Sequence, residues 1–290
     1  MFKRKLLGKS ILVFSSGDVV MSAPEKIIPT VKKNTILLML EKGERLDGRK
    51  LDEIRKIKIE TDVIGNAEGS AIVHLGNTIV IAGVKLNIVT PYADTPNQGV
   101  QIVNAELIPL ASPVFEPGPP GEDDVELSRV IDRALRSVKA IDLDKLVIIP
   151  GKKVWAVYID IYALNHSGNL IDASMLASIA ALLTAKKPKI ELVNDQIKKL
   201  DEREKLPITD IPVTVTFAKI GDKLVVDPEY EEELIMDARL TFGITSNGNI
   251  CALQKGLCGT FKPSLILEAL EIARKVADEY RNYIKSFIQI

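Results

Sequence analysis

The sequence predicts an α/β (α+β) chain of two lobes, each a mixed β-sheet packed with α-helices. Three observations carry this. Segments rich in β-branched residues cluster between residues 57 and 110 and again between 212 and 255. Each cluster leads into segments of helical period, ending with 124–140 and 171–185 in the first half and 263–283 in the second. A highly charged stretch, 186–207, lies between the two sets and marks the boundary. The expected organisation is therefore an extension at 1–20, a helical lead-in at 21–44, a first domain at 45–187, a linker at 188–206 and a second domain at 207–290.

The elements follow in order. Residues 27–40 suggest a short helix, broken near Pro29 and ended by Gly43. Asp47-Gly48 is a turn signal inside 45–55. Strands are expected at 57–64, 70–75, 77–89 and 100–110, with Gly76-Asn77 as a tight hairpin. A proline-rich loop at 113–121 leads to the helix at 124–140, where Glu122, Asp123 and Asp124 complement the dipole. Strands at 145–150 and 153–164 come next. The helix at 171–185 is apolar or small nearly all round and should be buried. In the second half, strands are expected at 212–220, 223–227, 239–246 and 249–255, with Asn247-Gly248 as a hairpin turn. The last helix should bury Leu267, Leu270, Ala273, Ala277 and Tyr280.

The 124–140 helix is the most informative. Val125, Leu127, Val130, Ile131, Ala134, Leu135 and Val138 recur at helical spacing and predict one apolar face. Arg129, Arg133 and Arg136 fall on the opposite face. A row of guanidinium groups can follow a phosphate backbone, because each is planar, permanently charged and able to bind phosphate bidentately. The competing reading is a solvated face in which Asp132 and Arg136 form an i,i+4 pair.

Composition limits the options. Lys plus Arg is 38 and Asp plus Glu is 39, so any nucleic-acid contact must be a local patch. Aromatics make up only 5%, so base-stacking platforms are few. Cys251 and Cys258 have no zinc spacing with each other or with His74 and His166, which predicts no metal site and two partly buried core cysteines. No Walker or dinucleotide motif supports a small-molecule α/β enzyme, and no cofactor is expected. No apolar run reaches the roughly 18 residues of a membrane span. Lys3, Arg4 and Lys5 precede an apolar run too short for a signal peptide, and Met21 is a plausible start. Residues 1–20 are accordingly expected to be a mis-assigned or disordered extension. The low cysteine count suits a cytoplasmic location.

With these segments laid out, the chain resembles the RNase PH family. The residues that carry the resemblance are ERLDGRKLDEIR at 44–55, PYADTPNQG at 91–99, FEPGPP at 115–120 and VELSRVIDRALR at 125–136. LVIIPGKKVWAVYIDIYAL at 146–164 and KLVVDPEYEEELIMDA at 223–238 extend it. More narrowly, the resemblance is to the non-catalytic RNase-PH-like subunits of the archaeal exosome. It implies a two-lobed RNase PH fold and a 3′-to-5′ phosphorolytic RNA-degrading complex. In that complex a catalytic paralogue and a non-catalytic subunit form three heterodimers in a hexameric ring, beneath RNA-binding cap proteins. It also implies that Arg129 and Arg133 reach single-stranded RNA near the partner's active site, with Arg136 as a further candidate.

The family's active members differ from this chain at three places. The resemblance puts paired arginines where Glu122 and Asp123 stand, and a Gly-Ser-Arg cluster where 164–172 holds no arginine. It puts two aspartates where Glu233 and Arg239 stand. A site joining phosphate to RNA needs cations for two anions and an acid or base for the leaving oxygen. Arg239 cannot act as an acid. The expectation is no catalytic residue and no independent enzyme activity. The alternative is an autonomous phosphorolytic exoribonuclease using Glu233 and Asp237. His74 and His166 read as structural.

Overall fold

The computed structural model of the chain describes residues 30–193 and 196–288. The first half contains α1 (Thr30–Glu41), β1 (Ile57–Thr61), β2 (Gly69–Leu75), β3 (Thr78–Val89), β4 (Val100–Leu107) and α2 (Glu122–Ser137). It continues with β5 (Val147–Ile149), β6 (Lys153–Asn165) and α3 (Leu170–Thr184). Then come β7 (Lys186–Val193), β8 (Gln196–Lys205), β9 (Val213–Ile220), β10 (Lys223–Val226), α4 (Tyr230–Ile235), β11 (Ala238–Ile244), β12 (Ile250–Gly256) and α5 (Pro263–Ile288). The expected extension at 1–20 and the break at Pro29 lie outside the described residues. No helix among the described residues is long and apolar enough to cross a membrane.

The first sheet runs β1-β2-β3-β6-β4, with β5 also on β6. It is mixed, because β4 lies parallel to β6 and the other pairs are antiparallel. Gly76-Asn77 makes the tight turn expected between β2 and β3, where Leu75 faces Thr78. The second sheet runs β10-β9-β11-β12. Here the expectation of a mixed sheet is corrected: every pair is antiparallel. Short turns join β9 to β10 and β11 to β12, and such turns can connect only antiparallel neighbours.

The helix α3 sits between the sheets. It packs on β2, β3 and β6 on one side, on β9 on the other, and on α5. Its residues from Ile171 to Leu182 are all buried, which is why no amphipathic stripe appears in its sequence. The helix approaches β2 so closely that a Cβ at Gly69 would lie 2.3 Å from the Ala181 carbonyl oxygen. One continuous apolar core therefore contains residues of both halves.

Several boundaries differ from the sequence reading. Within 188–206, expected as a linker, residues 188–193 belong to β7 and 196–205 to β8, which pair as a two-stranded ribbon. Its charges face each other across the strands, Lys187 with Glu204 and Lys189 with Glu202. The charge count hid that alternation. Helix α4 is too short and acidic to show a period. Val125 is 48% exposed and Leu267 65% exposed, so neither joins its helix's apolar face. In α5 the buried stripe instead runs through Ala269, Ala273, Val276, Ala277, Tyr280 and Ile284. Cys251 is half-buried and Cys258 is exposed rather than part of the core.

A buried polar network joins the segment at 45–55, the turn before α3 and the end of β10. Asp227 is fully buried. Its carboxylate accepts from Arg55 Nε (2.9 Å) and Nη2 (2.7 Å), from Arg49 Nη1 (3.1 Å) and from Asn169 Nδ2 (2.7 Å). Arg45 is equally buried and pairs with Glu232 through Nε (2.9 Å) and Nη2 (2.5 Å). Arg45 also donates to the carbonyls of Val226 and Asp227. Burial pulls the Asp227 carboxyl upward, but Arg55 and then Arg49 and Asn169 outweigh it and hold it below the usual range. Replacing Asp227 with Ala strands a buried guanidinium and should lower stability by about 3–5 kcal/mol, read from urea denaturation.

Asp172 is the contrasting case. Burial, the largest cause, pushes its carboxyl up to about 7, and nearby Asp227 adds to this against the Asn169 bond. It accepts from Thr216 N (2.9 Å), and the Thr216 hydroxyl lies 2.9 Å from it and 2.9 Å from the Thr241 hydroxyl. That hydroxyl chain can reverse to accept a hydrogen bond from a neutral Asp172. An acid whose pKa is higher folded than unfolded takes up a proton on folding. Its stabilising contribution is present below about pH 4 and is lost as pH rises toward 7. Urea midpoints should therefore decline between about pH 5 and about pH 8, and Asp172→Asn should flatten that decline.

Candidate nucleic-acid interface

Helix α2 begins where three acids meet its dipole. The Asp124 carboxylate accepts from the Gly121 N–H (2.9 Å) and the Leu107 N–H (2.6 Å), which ties the helix start to the end of β4. Leu127, Val130, Ile131, Ala134 and Leu135 are buried. That face packs on β4, β12 and α3. Arg129, Arg133 and Arg136 are all exposed along the outer side, as the helical spacing predicts.

The three arginines are not equivalent. Arg136 donates to Asp132 through Nε (3.1 Å) and Nη2 (2.8 Å), and to the Gln101 carbonyl (3.1 Å). The i,i+4 pair read from sequence is therefore present, and it fixes one edge of this guanidinium. Arg129 and Arg133 make no side-chain hydrogen bond or ion pair among the described residues. Two cations without counter-ions on a rigid helix are what an anionic strand requires.

Behind the N-terminal end of α2 lies a small cleft. Asp123, Glu126, His166, Asn169, Glu233 and Arg239 line it. The fold thus brings together Asp123, the turn before α3, Glu233 and Arg239, which the sequence analysis singled out separately. Asp237 is not among the lining residues. Its carboxylate accepts from the Gly221 N–H (2.8 Å) at the β9–β10 turn, so the pairing of Glu233 with Asp237 as joint catalytic groups is not assembled.

The cleft's charges are engaged with one another. Arg239 Nη2 meets Glu126 Oε2 at 2.6 Å, and Gln254 Nε2 donates to Glu126 Oε1 at 3.0 Å. Burial raises the Glu126 carboxyl, but the Arg239 bond and charge prevail and keep it below the usual range. Glu126 is thus held as a carboxylate and cannot donate a proton near neutrality. At the start of α3 the Asn169 N–H donates to Glu233 Oε1 (2.8 Å). A side-chain carboxylate so occupies a helix N-terminus, a place suited to a free anion. His166 stacks on Phe115 (5.4 Å between centroids), meets the edge of Tyr230 (5.0 Å), and lies 3.9 Å from Glu233. His74 is elsewhere, on β2 beside Glu60.

Sequence reasoning missed two participants. Glu126 stands inside the ELSR motif, and its opposite charge to Arg239 was the available signal. Arg55 holds the turn before α3 from behind, donating to the carbonyls of Ser167 (2.8 Å) and Gly168 (3.3 Å). Its distance in sequence from that turn concealed it.

Comparison with known proteins decides the family. Residues 53–188 match the 3′ exoribonuclease family, domain 1, and residues 210–276 match domain 2. The chain belongs to the 3′ exoribonuclease, or RNase PH, family. Relatives within it are similar over most of their length. The exosome complex component Rrp42 of Methanopyrus kandleri is 47% identical over 261 residues, covering 90% of this chain and 98% of the relative. The protein of the same name from Thermococcus gammatolerans is 49% identical over 261 residues, covering 89% and 96%. Among solved structures, a chain of the Archaeoglobus fulgidus exosome with RNA bound to the active site superposes with a TM-score of 0.83 at 47% identity, covering 88% and 98%.

Proposed function

We propose that this chain is the non-catalytic RNase-PH-like subunit of an archaeal-type exosome. In this reading it pairs with a catalytic paralogue, three such heterodimers close a hexameric ring, and RNA-binding cap proteins sit on one face. It works in the cytoplasm, shapes the partner's active site and grips single-stranded RNA with Arg129 and Arg133, Arg136 contributing its free edge.

The observation that carries the reading is the state of the cleft. Phosphorolysis needs uncommitted cations for phosphate and RNA, and a group poised to exchange a proton. Here Glu126 pairs with Arg239 through Nη2 and offsets its charge, although Arg239 Nε is buried without a hydrogen-bond partner, and Glu233 accepts from the Asn169 N–H at the α3 N-terminus. Asp123 lines the cleft, and Glu122 precedes it in the first turn of α2. Meanwhile the two arginines without counter-ions face outward on α2. Catalytic parts are neutralised internally, and cationic parts point to a neighbour.

The purified chain, given poly(A) and inorganic phosphate, should release no nucleoside diphosphate. Mixing with a catalytic RNase-PH-like paralogue should restore phosphorolysis. Phosphate-dependent shortening of RNA by the chain alone would overturn the reading.

Replacing Arg129 and Arg133 together with Glu should weaken RNA binding by the assembled complex. The loss of two phosphate contacts should reduce the salt slope by roughly 1.4 on a logarithmic scale. Assembly, followed by native mass measurement, should be unaffected, because neither side chain belongs to the buried face of α2. Unchanged affinity would return both residues to a merely solvated surface.

A further inference from the structure

The first sheet is apolar on both faces, but helices cover only one. Helix α3 packs on β2, β3 and β6, and α2 on β4. Residues turned toward these helices, such as Val73, Ala82 and Ile161, are fully buried. On the opposite face the strand registers align Ile72, Ile81 and Tyr162 in one row, ended by Glu60 on β1 and Glu106 on β4. Ile79 lies beside the row on β3, and Ile64, 39% exposed, reaches over Gly83. Ile72, Ile79, Ile81 and Tyr162 are half-buried and join none of the core clusters. At the other end of this face Val100, Val154 and Ala156 are already covered, packed with Val89, Val147 and Tyr158. Strands that are apolar on both faces belong to sheets covered on both sides. This chain supplies one of the two covers.

The charges around the patch select the kind of cover. Lys58 pairs with Glu60 (2.8 Å) and Lys85 with Glu68 (2.9 Å), so the lysines of this face are engaged. Glu106 accepts from the Tyr162 hydroxyl (3.2 Å) and Asp160 from Asn104 Nδ2 (2.9 Å), and neither acid forms an ion pair among the described residues. Arg129 and Arg136 line the groove that these two acids border, and Arg136 is committed to Asp132. A second copy meeting this face with its own would set acids against acids. A different chain, with Arg or Lys beside an apolar patch, complements it.

We propose that the Ile72–Ile81–Tyr162 face of the first sheet is the docking surface for the catalytic paralogue, whose matching surface is apolar and sets an Arg or Lys against Glu106 and Asp160. The proposal rests on the ring-subunit reading given above, and adds which face meets that partner and what the partner must carry. An apolar centre with a charged rim is the anatomy of a protein interface. A sheet face is broad and open, so it suits another folded surface and not a small molecule, which needs a concave site.

The test uses the full chain and a purified catalytic RNase-PH-like paralogue, with association followed by native mass measurement and by titration. Ile81→Lys should weaken association about thirtyfold, as for a contact at the centre of an interface. Glu106→Lys combined with Asp160→Lys should weaken it about tenfold, and the difference should narrow as salt rises. Urea midpoints of the isolated variants should stay near that of the unmodified chain, because none of these side chains belongs to the core. Hydroxyl-radical footprinting needs no variant: Tyr162 should be oxidised in the isolated chain and protected in the complex. Undiminished association in both variants, equal oxidation of Tyr162 in the free and associated chain, or a homodimer of the isolated chain that protects Tyr162 would each overturn the proposal. If the two proteins associate while Tyr162 stays exposed, this face alone is wrong. If they do not associate at all, the ring-subunit reading fails as well.

Discussion

The buried pairing of Asp227 with Arg55 is the constraint on which the remaining geometry rests. A carboxylate and a guanidinium fully removed from water are tolerable only when their hydrogen-bonding capacity is used. Here it is. Arg55 is bidentate to Asp227 and spends its other donors on Thr78 Oγ1 and the carbonyls of Ser167 and Gly168. One ion pair therefore fixes three separate pieces of chain: the segment after RLDGR, the turn that starts α3, and the end of β10. Asn169 completes the arrangement, its two amide hydrogens shared between Asp172 and Asp227.

The cleft inherits its shape from that network. The turn at 167–169 is held from behind, so the Asn169 N–H points into the cleft and meets Glu233. Helix α4, anchored through Glu232 to Arg45, places Glu233 and the Tyr230 ring there. Strand β11 brings Arg239 opposite Glu126. The scaffold gathers charged groups around one small volume, where Arg239 pairs with Glu126 and Glu233 accepts from the Asn169 N–H. Arg129 and Arg133, which make no side-chain hydrogen bond or ion pair among the described residues, lie on the outer side of α2.

Much of this was legible in the sequence, for identifiable reasons. The β-branched runs, the turns at Gly76-Asn77 and Asn247-Gly248 and the uniformly apolar α3 are local signals, and each element formed. The exposed arginine row follows from helical spacing alone. What escaped detection was non-local or cancelled by composition. The β7–β8 ribbon hid in a charge-rich stretch because opposite charges pair across strands and a count does not see pairing. Nothing nearby in sequence announces Glu232 and Asp227 as the partners of Arg45 and Arg55. Val125 and Leu267 satisfied a helical period, yet both are exposed near the starts of their helices. The RNase PH resemblance identified the positions around the cleft, but not that Glu126 and Arg239 would close it.

The position of α3 also bears on how the chain is made. Its outer face needs β9 and α5, both encoded downstream, while its inner face needs only the first sheet. During synthesis the α3 segment emerges well before α5 is complete. About 100 residues at ribosomal speed correspond to roughly 5–20 s. For that interval the nascent chain carries an unshielded hydrophobic helix on a finished sheet, a form that invites premature association. Folding of the amino-terminal half is thus provisional until the carboxy-terminal helix arrives to lid it.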